Sequence, residues 1–364
     1  MTVRSASPRP TGPSRAEGGG HGVRVLVTGD RGYIGAVLVP MLESRGIDVV
    51  GMDSDFYQEC SFGDTPNEVV SVRRDIRDVA VDDLVGFDGV VHLAALSNDP
   101  VSDLDPRLTY DINHRAAVRL ARLARSAGVP RFVFSSSCSN YGASGPDVLD
   151  ETAPFNPVAP YGISKVHAEE GLLRLATDSF SPVLLRSATA YGASPKLRCD
   201  VVLNNLVAWA FATGKVRIKS DGKAWRPLVH VEDICQAFLA VLEAPREAVH
   251  AEAFNVVAQG ENYQIRDVAT TVAEVVGCDV EFAGDASPDA RNYRVDGSKI
   301  AARLPGFQPR WTVRTGAEQL YKAFIDRPVT VDDFEGWRYR RIGQLMRLLD
   351  LAELDPDLRW KRSS

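Results

Sequence analysis

No apolar run in this 364-residue chain approaches the roughly 18 residues that cross a bilayer, so a membrane partner is not expected. Cysteine is sparse: Cys60, Cys138, Cys199, Cys235 and Cys278 are scattered, odd in number, and fall into no CxxC or Cys/His spacing. Neither a metal site nor a disulfide framework is expected from that pattern, and a reducing cytoplasm is. A basic excess is missing too. The net charge of −6 argues against nucleic acid and anionic membranes, while leaving room for an anionic small substrate held by a local group of arginines. Residues 1–20 are rich in Ser, Pro, Arg and Gly, cannot bury a core and lack the apolar centre of a signal peptide, so a disordered tail is expected there. There is no internal repeat.

What the chain does have is a glycine-rich turn. Val25-Leu-Val-Thr-Gly-Asp-Arg-Gly-Tyr-Ile-Gly35 runs from a short apolar stretch into Gly29, Gly32 and Gly35, and the helical pattern Ala36-Val-Leu-Val-Pro-Met-Leu-Glu43 follows. Strand, tight turn and helix in that order present backbone N–H groups and a helix start to a pyrophosphate. Glycine is required where the backbone turns tightly and where a side chain would hold the phosphate away. Gly46–Met52 reads as a second buried strand with Asp53 at its end, roughly 20 residues past the loop. A carboxylate there accepts from both hydroxyls of an adenosine ribose and repels a 2′-phosphate. No arginine directly follows Asp53, which favours NAD over NADP, although Arg73 and Arg74 are close enough in sequence to approach the ribose.

The alternation continues downstream. Val69–Val72, Gly89–Ala95, Arg131–Ser135 and Val183–Arg186 read as strands, and residues 109–127 carry a helical stripe through Ile112, Ala116, Leu120 and Leu123. Strands alternating with helices give an α/β fold with a doubly wound parallel sheet of the Rossmann type, whose ligands bind beyond the carboxyl ends of the strands. From about residue 195 the rhythm loosens into helices near 201–213, 264–277 and 315–326. The expected division is a dinucleotide-binding domain over 21–194, rejoined by 230–258, and a smaller C-terminal substrate-binding lobe from 195–229 and 259–364.

Tyr161 and Lys165 stand four apart at the start of a helix after Pro160, and so share a face. A protonated lysine beside a phenol favours the phenolate, and a positively charged nicotinamide acts in the same direction. Tyrosine then becomes able to take a proton from a sugar hydroxyl. Ser135-Ser-Ser-Cys-Ser-Asn-Tyr-Gly142 ends a buried strand and supplies hydroxyls where the nicotinamide end of a cofactor belongs. An exposed helix pair and a plain turn are the bland alternatives, and the shared order of all four features argues against them.

With these motifs the chain resembles the extended short-chain dehydrogenase/reductase family, in particular its nucleotide-sugar epimerases and dehydratases. Further matching pieces are Asp75-Ile-Arg-Asp78, His92-Leu-Ala-Ala95, Asn113, Arg186, Tyr191-Gly192 and Trp225-Arg-Pro-Leu-Val-His-Val-Glu-Asp233, and the likeness spans residues 23 to about 305. The resemblance implies Tyr161 as general acid/base, Lys165 on the nicotinamide ribose, and Ser137 on the reacting sugar oxygen. It places the cofactor NAD against Gly29, Gly32, Tyr33, Ile34, Gly35, Asp53, Asp75, Ile76, Leu93, Ala94, Ala95 and Asn113. For a nucleoside-diphosphate sugar it implies Ser139, Asn205, Leu206, Arg226 and either Arg291 or Arg294. A homodimer pairing the helices at 109–127 and 161–176 is implied as well.

Departures from the family pattern narrow the reaction. Where the 4,6-dehydratases carry Asp-Glu after the catalytic Ser or Thr, this chain has Cys138-Ser139, leaving no evident acid/base pair for loss of water. Where related GDP-sugar epimerases place a reactive cysteine stands Ser139, and Cys138 falls one residue early. Thr189 replaces the usual asparagine two before Tyr191. The resemblance thus implies an NAD-dependent 4-epimerase acting through a transient 4-keto sugar. A 4-ketoreductase on the same residues is the alternative among enzymes, and a non-catalytic dinucleotide-binding protein the alternative outside them. Which nucleotide and sugar are used is not written in these motifs.

Overall fold

The computed structural model describes residues 22–63, 69–145, 147–287 and 291–361, so the tail expected over residues 1–20 lies outside the described residues. Seven strands form one sheet: β1 (Arg24–Thr28), β2 (Asp48–Asp53), β3 (Ser71–Arg73), β4 (Gly89–His92), β5 (Arg131–Ser137), β6 (Ser181–Ser187) and β7 (Ala253–Val256). Their order in space is β3-β2-β1-β4-β5-β6-β7, and every neighbouring pair is parallel. The chain runs outward from β1 to one edge, then returns to β4 and runs to the other. That reversal between β1 and β4 opens the crevice in which doubly wound sheets bind their ligands.

Alternation along each strand divides its side chains between two cores. Val25 and Val27 of β1, Val91 of β4, Val133 of β5 and Val183 of β6 join Leu38 and Leu42 of α1 (Gly35–Ser44). Ile234, Phe238 and Val241 of a later helix, Val231–Glu243, complete that face. Leu26, Val90, Phe132, Phe134 and Leu184 point the other way, onto Leu120 and Ala124 of α2 (Ala117–Ser126) and Ala168 and Leu172 of α3 (Pro160–Leu173). A sheet covered on both faces reads in sequence as unbroken apolar runs, which is why its strands stand out.

A further core gathers α4 (Val202–Thr213), α5 (Ile265–Val276) and α6 (Val313–Asp326) around strand Lys215–Ser220, through Leu203, Val207, Ile218, Val272, Leu320 and Phe324. This is the smaller lobe. Two segments assigned to it from sequence pack elsewhere. Tyr293, Val295, Ile300, Leu304 and Phe307 join the core on the α1 side of the sheet. Leu345 and Leu348 of α7 (Arg341–Asp350), with Leu354 and Leu358, pack on Phe56, Ile76, Leu96 and Ile112 beside β2 and β4. Among the described residues no helix is long and apolar enough to cross a membrane.

Candidate active site

A cavity of about 730 Å³ opens at the carboxyl ends of the central strands, between the sheet and the smaller lobe. Its floor is the glycine turn. Gly29 has φ +78°, a left-handed conformation that favours glycine, and an added Cβ would lie 2.7 Å from the Ala94 backbone nitrogen. A Cβ on Gly35 would fall 2.2 Å from the Gly29 carbonyl oxygen, so α1 can approach the turn only with glycine at its start. Gly29, Gly32, Tyr33, Ile34, Gly35, Leu93, Ala94 and Ala95 all line the cavity, and no side chain caps α1. The cradle therefore fits a pyrophosphate.

At the end of β2, Asp53 lines the same cavity and accepts from the Asp55 backbone N–H at 2.8 Å and the Arg31 N–H at 3.2 Å. Burial pushes its carboxyl up to about 6, against the lowering pull of these backbone bonds. Arg73 lies over the Trp360 ring, 4.3 Å from its centroid, and Arg74 is ion-paired to Asp83. Both arginines thus have partners other than a ribose 2′-phosphate. Asp75 and Ile76 line the cavity, with Asp75 held by Arg77 at 2.7 Å and Arg359 at 3.3 Å. Asn113 is placed differently. It is buried and brackets Leu96, accepting from the Leu96 N–H at 2.8 Å and donating to its carbonyl at 2.9 Å, so it shapes the wall from behind.

Ser137, Tyr161 and Lys165 converge on the cavity. Ser137 ends β5, Tyr161 and Lys165 open α3, and Pro160 sets the first turn of that helix. The Ser137 hydroxyl accepts from the Ser139 hydroxyl at 2.9 Å and lies close enough to the Tyr161 phenol to act on its pKa. Burial raises the Tyr161 pKa, while Ser137 and the Arg198 charge lower it. Lys165 is buried, donates to the Ser135 carbonyl at 2.7 Å and lies 5.7 Å from the Tyr161 ring centroid. Burial lowers its pKa to about 7, against the raising charge of Glu169. The Arg198 charge also favours the phenolate, a contribution no sequence motif signalled.

Cys138 has turned away. Its thiol is fully buried and donates to the Arg186 carbonyl at 3.0 Å, and burial pushes its pKa up, which leaves an inert thiol. No carboxyl side chain stands at residues 138 or 139, where a dehydratase of this pattern would carry Asp-Glu.

The residues expected to meet a substrate belong to the same lining. Asn205, Leu206, Arg226, Arg291 and Thr189 line the cavity. Arg226 is buried on strand Trp225–His230, donates to the Trp225 carbonyl at 2.8 Å and to the Arg291 carbonyl, and lies 5.7 Å from the Tyr293 ring. Arg291 pairs with Asp99 at 3.0 Å, and both belong to the lining. Arg294 instead lies over the Trp225 ring at 4.9 Å and is not part of the lining, so the pair Arg226 and Arg291 is the one the fold assembles.

Several lining residues carried no sequence signal. Arg198, Asp200, Arg340 and Arg341 face the cavity, as do Asp99, Phe56 and Tyr57. Arg198 and Asp200 pair at 2.8 Å, and the Arg341 N–H reaches Asp200 at 3.2 Å from 141 residues away. Only the fold joins them.

The chain has known relatives across most of its length. The model of the NAD dependent epimerase/dehydratase family matches residues 25–257. A UDP-glucose 4-epimerase of Mycolicibacterium smegmatis is 29% identical over 324 residues, 84% of this chain and 99% of that one. A UDP-glucose 4-epimerase of Corynebacterium glutamicum is 30% identical, covering 82% of this chain and 95% of its own length. Among solved structures, MoeE5 in complex with UDP-glucuronic acid and NAD is similar with a TM-score of 0.72 and 29% identity, covering 83% of this chain and 99% of that one. The UDP-glucose 4-epimerase of Thermotoga maritima with UDP-glucose gives a TM-score of 0.72 at 25% identity, over 84% and 99% of the two chains. With its glycine turn, its Tyr161/Lys165 pair and a family match that spans the whole parallel sheet, this chain belongs to the NAD dependent epimerase/dehydratase family.

Proposed function

We propose that the protein is an NAD-dependent nucleotide-sugar 4-epimerase, with UDP as the nucleotide its relatives' names favour. The observation that carries this reading is the convergence of Ser137, Tyr161 and Lys165 on one cavity, with Cys138 buried where a dehydratase would need a carboxyl. Tyr161 takes the proton of the sugar's 4-hydroxyl and later returns it, while Ser137 holds the same oxygen. Lys165, whose pKa burial lowers to about 7, holds the nicotinamide ribose. Asp53 holds the adenosine ribose and the glycine turn the pyrophosphate. Bound NAD supplies reversible hydride acceptance at C4. Arg226 and Arg291 hold the substrate diphosphate, so the flat 4-keto sugar can turn over without leaving. A homodimer through residues 109–127 and 161–176 belongs to the same proposal.

The test is to incubate the purified protein with UDP-, GDP- and dTDP-sugars without reduced cofactor and to follow C4 by NMR. An equilibrium mixture of two epimers of unchanged mass is expected. A product lighter by one water, or turnover only with a 4-keto sugar and stoichiometric reduced cofactor, would replace the epimerase by a dehydratase or a ketoreductase.

A further inference from the structure

Beside Tyr161 the cavity wall holds more positive charge than its own carboxylates use. Asp200 is engaged at both oxygens: its Oδ1 accepts from Arg198 Nε at 2.8 Å, and its Oδ2 from Asn98 Nδ2 at 2.7 Å and from the Arg341 backbone at 3.2 Å. The rest of the two guanidinium groups is less well served. Arg198 Nη1 donates to the Ser97 hydroxyl at 3.2 Å and Arg341 Nη2 to the Lys196 carbonyl at 2.9 Å. Arg198 Nη2 and Arg341 Nη1 are buried and donate to nothing among the described residues. Both residues line the cavity and are buried, Arg198 9% and Arg341 2% exposed. Lys196 adds a third cation whose ammonium meets only neutral oxygens, the carbonyls of Tyr57 and Gln58 and the Ser61 hydroxyl. Of the nearby acids, Asp55 pairs with Arg31 and Asp99 with Arg291.

A buried guanidinium N–H without an acceptor is costly, and Asp200 takes only Nε of Arg198 from the two guanidinium groups. The remaining charge calls for an anionic oxygen from the bound ligand. The dinucleotide pyrophosphate already has the glycine turn, and the substrate diphosphate has Arg226 and Arg291. Arg198 shares the lining with Ser137 and Tyr161, with its Nη1 on Ser97 of the same wall, and its charge acts on the phenol, so its free nitrogen serves the region where the sugar reacts. Thr189 adds a hydroxyl to the same lining. We propose that Arg198, with Arg341 beside it through a backbone bond to the same Asp200, binds a carboxylate carried by the sugar next to the reacting carbon, which makes an acidic nucleotide sugar the preferred substrate. This rests on the epimerase reading and deepens it by naming the substrate class.

The test is calorimetric titration of the NAD-loaded protein with UDP-glucuronic acid against UDP-glucose, and with the corresponding dTDP pair. The acidic member of a pair should bind roughly 10- to 100-fold more tightly, the range of a charge-assisted hydrogen bond. Arg198→Gln should remove that preference by weakening the acidic sugar alone, and Arg341→Gln should reduce it. The wild-type preference stands as evidence even if a variant fails to fold. No preference for the acidic member in either pair, including no binding at all, would overturn the proposal. So would an Arg198→Gln protein that loses NAD affinity while keeping the preference, because the cations would then serve the dinucleotide. The two readings fail separately: a protein that prefers the acidic sugar yet leaves C4 unchanged sinks only the epimerase, and one that inverts C4 without preference sinks only the acid site.

Discussion

Arg186 and Glu169 form an ion pair inside the core, Nη2 to Oε2 at 2.7 Å, with side chains 6% and 2% exposed. Glu169 follows Lys165 by one helical turn on α3 and also accepts from Ser136 and from Asn140 at 3.0 Å. Arg186 in turn donates to the Tyr141 hydroxyl at 3.0 Å, and that hydroxyl donates to Asn255 at 2.8 Å. One carboxylate thus ties the helix that carries Tyr161 to the strand end that carries Ser137.

Removing one partner of a buried pair leaves an uncompensated charge. Arg186→Met should cost about 3–5 kcal/mol in denaturant unfolding. A double change, Glu169→Leu with Arg186→Met, should recover much of that loss because no charge then remains buried. A loss below about 1 kcal/mol for the single variant would contradict the account.

Asp53 makes cofactor affinity pH-dependent. Its carboxyl is raised to about 6 by burial, and only the ionised form accepts from both ribose hydroxyls. NAD affinity should therefore be flat above that value and fall as pH drops through about 6. Asp53→Asn should bind NAD more weakly at neutral pH and lose that slope. Titrations at pH 5 and pH 8 that give equal affinity in the unmutated protein would refute the assignment.

Arg226→Ala should raise substrate KM strongly and leave NAD binding almost unchanged, because the guanidinium lies against Tyr293 and the Arg291 carbonyl rather than against the glycine turn. Steady-state kinetics beside a direct NAD titration separate the two effects. Loss of NAD affinity with an unchanged KM would put this arginine on the cofactor side.

Tyr161→Phe should keep fold and cofactor yet lose turnover by roughly 10²–10⁴-fold, the scale of general acid/base catalysis. Thermal unfolding and bound-NAD content serve as controls. Near-normal turnover in a folded variant would remove Tyr161 from the chemistry.

The sheet was legible because buried parallel strands are short apolar runs, and the cofactor turn because Gly29 and Gly35 meet backbone that admits no side chain. Boundaries shifted where local geometry decides. The second strand starts at Asp48 rather than Gly46, since Gly46 turns the chain at φ +73°, and α6 starts two residues before expectation because Thr312 caps it. Long-range pairs were not legible. Arg341 reaches Asp200, and Trp360 Nε1 donates to the Ser54 carbonyl at 2.6 Å, from the far end of the chain. No local periodicity encodes such meetings. Nor did any motif signal Arg198, whose charge lowers the Tyr161 pKa against burial.

Isotope tracing at the reacting carbon tests the central claim most directly. A nucleotide sugar carrying deuterium at C4 is incubated with the NAD-loaded protein until the epimers equilibrate. If Tyr161 and Ser137 work at the 4-oxygen while one hydride leaves C4 and returns to it, both epimers should keep the deuterium at C4, with no added reduced cofactor consumed. Loss of the label to solvent, or its transfer to added cofactor, would contradict the account.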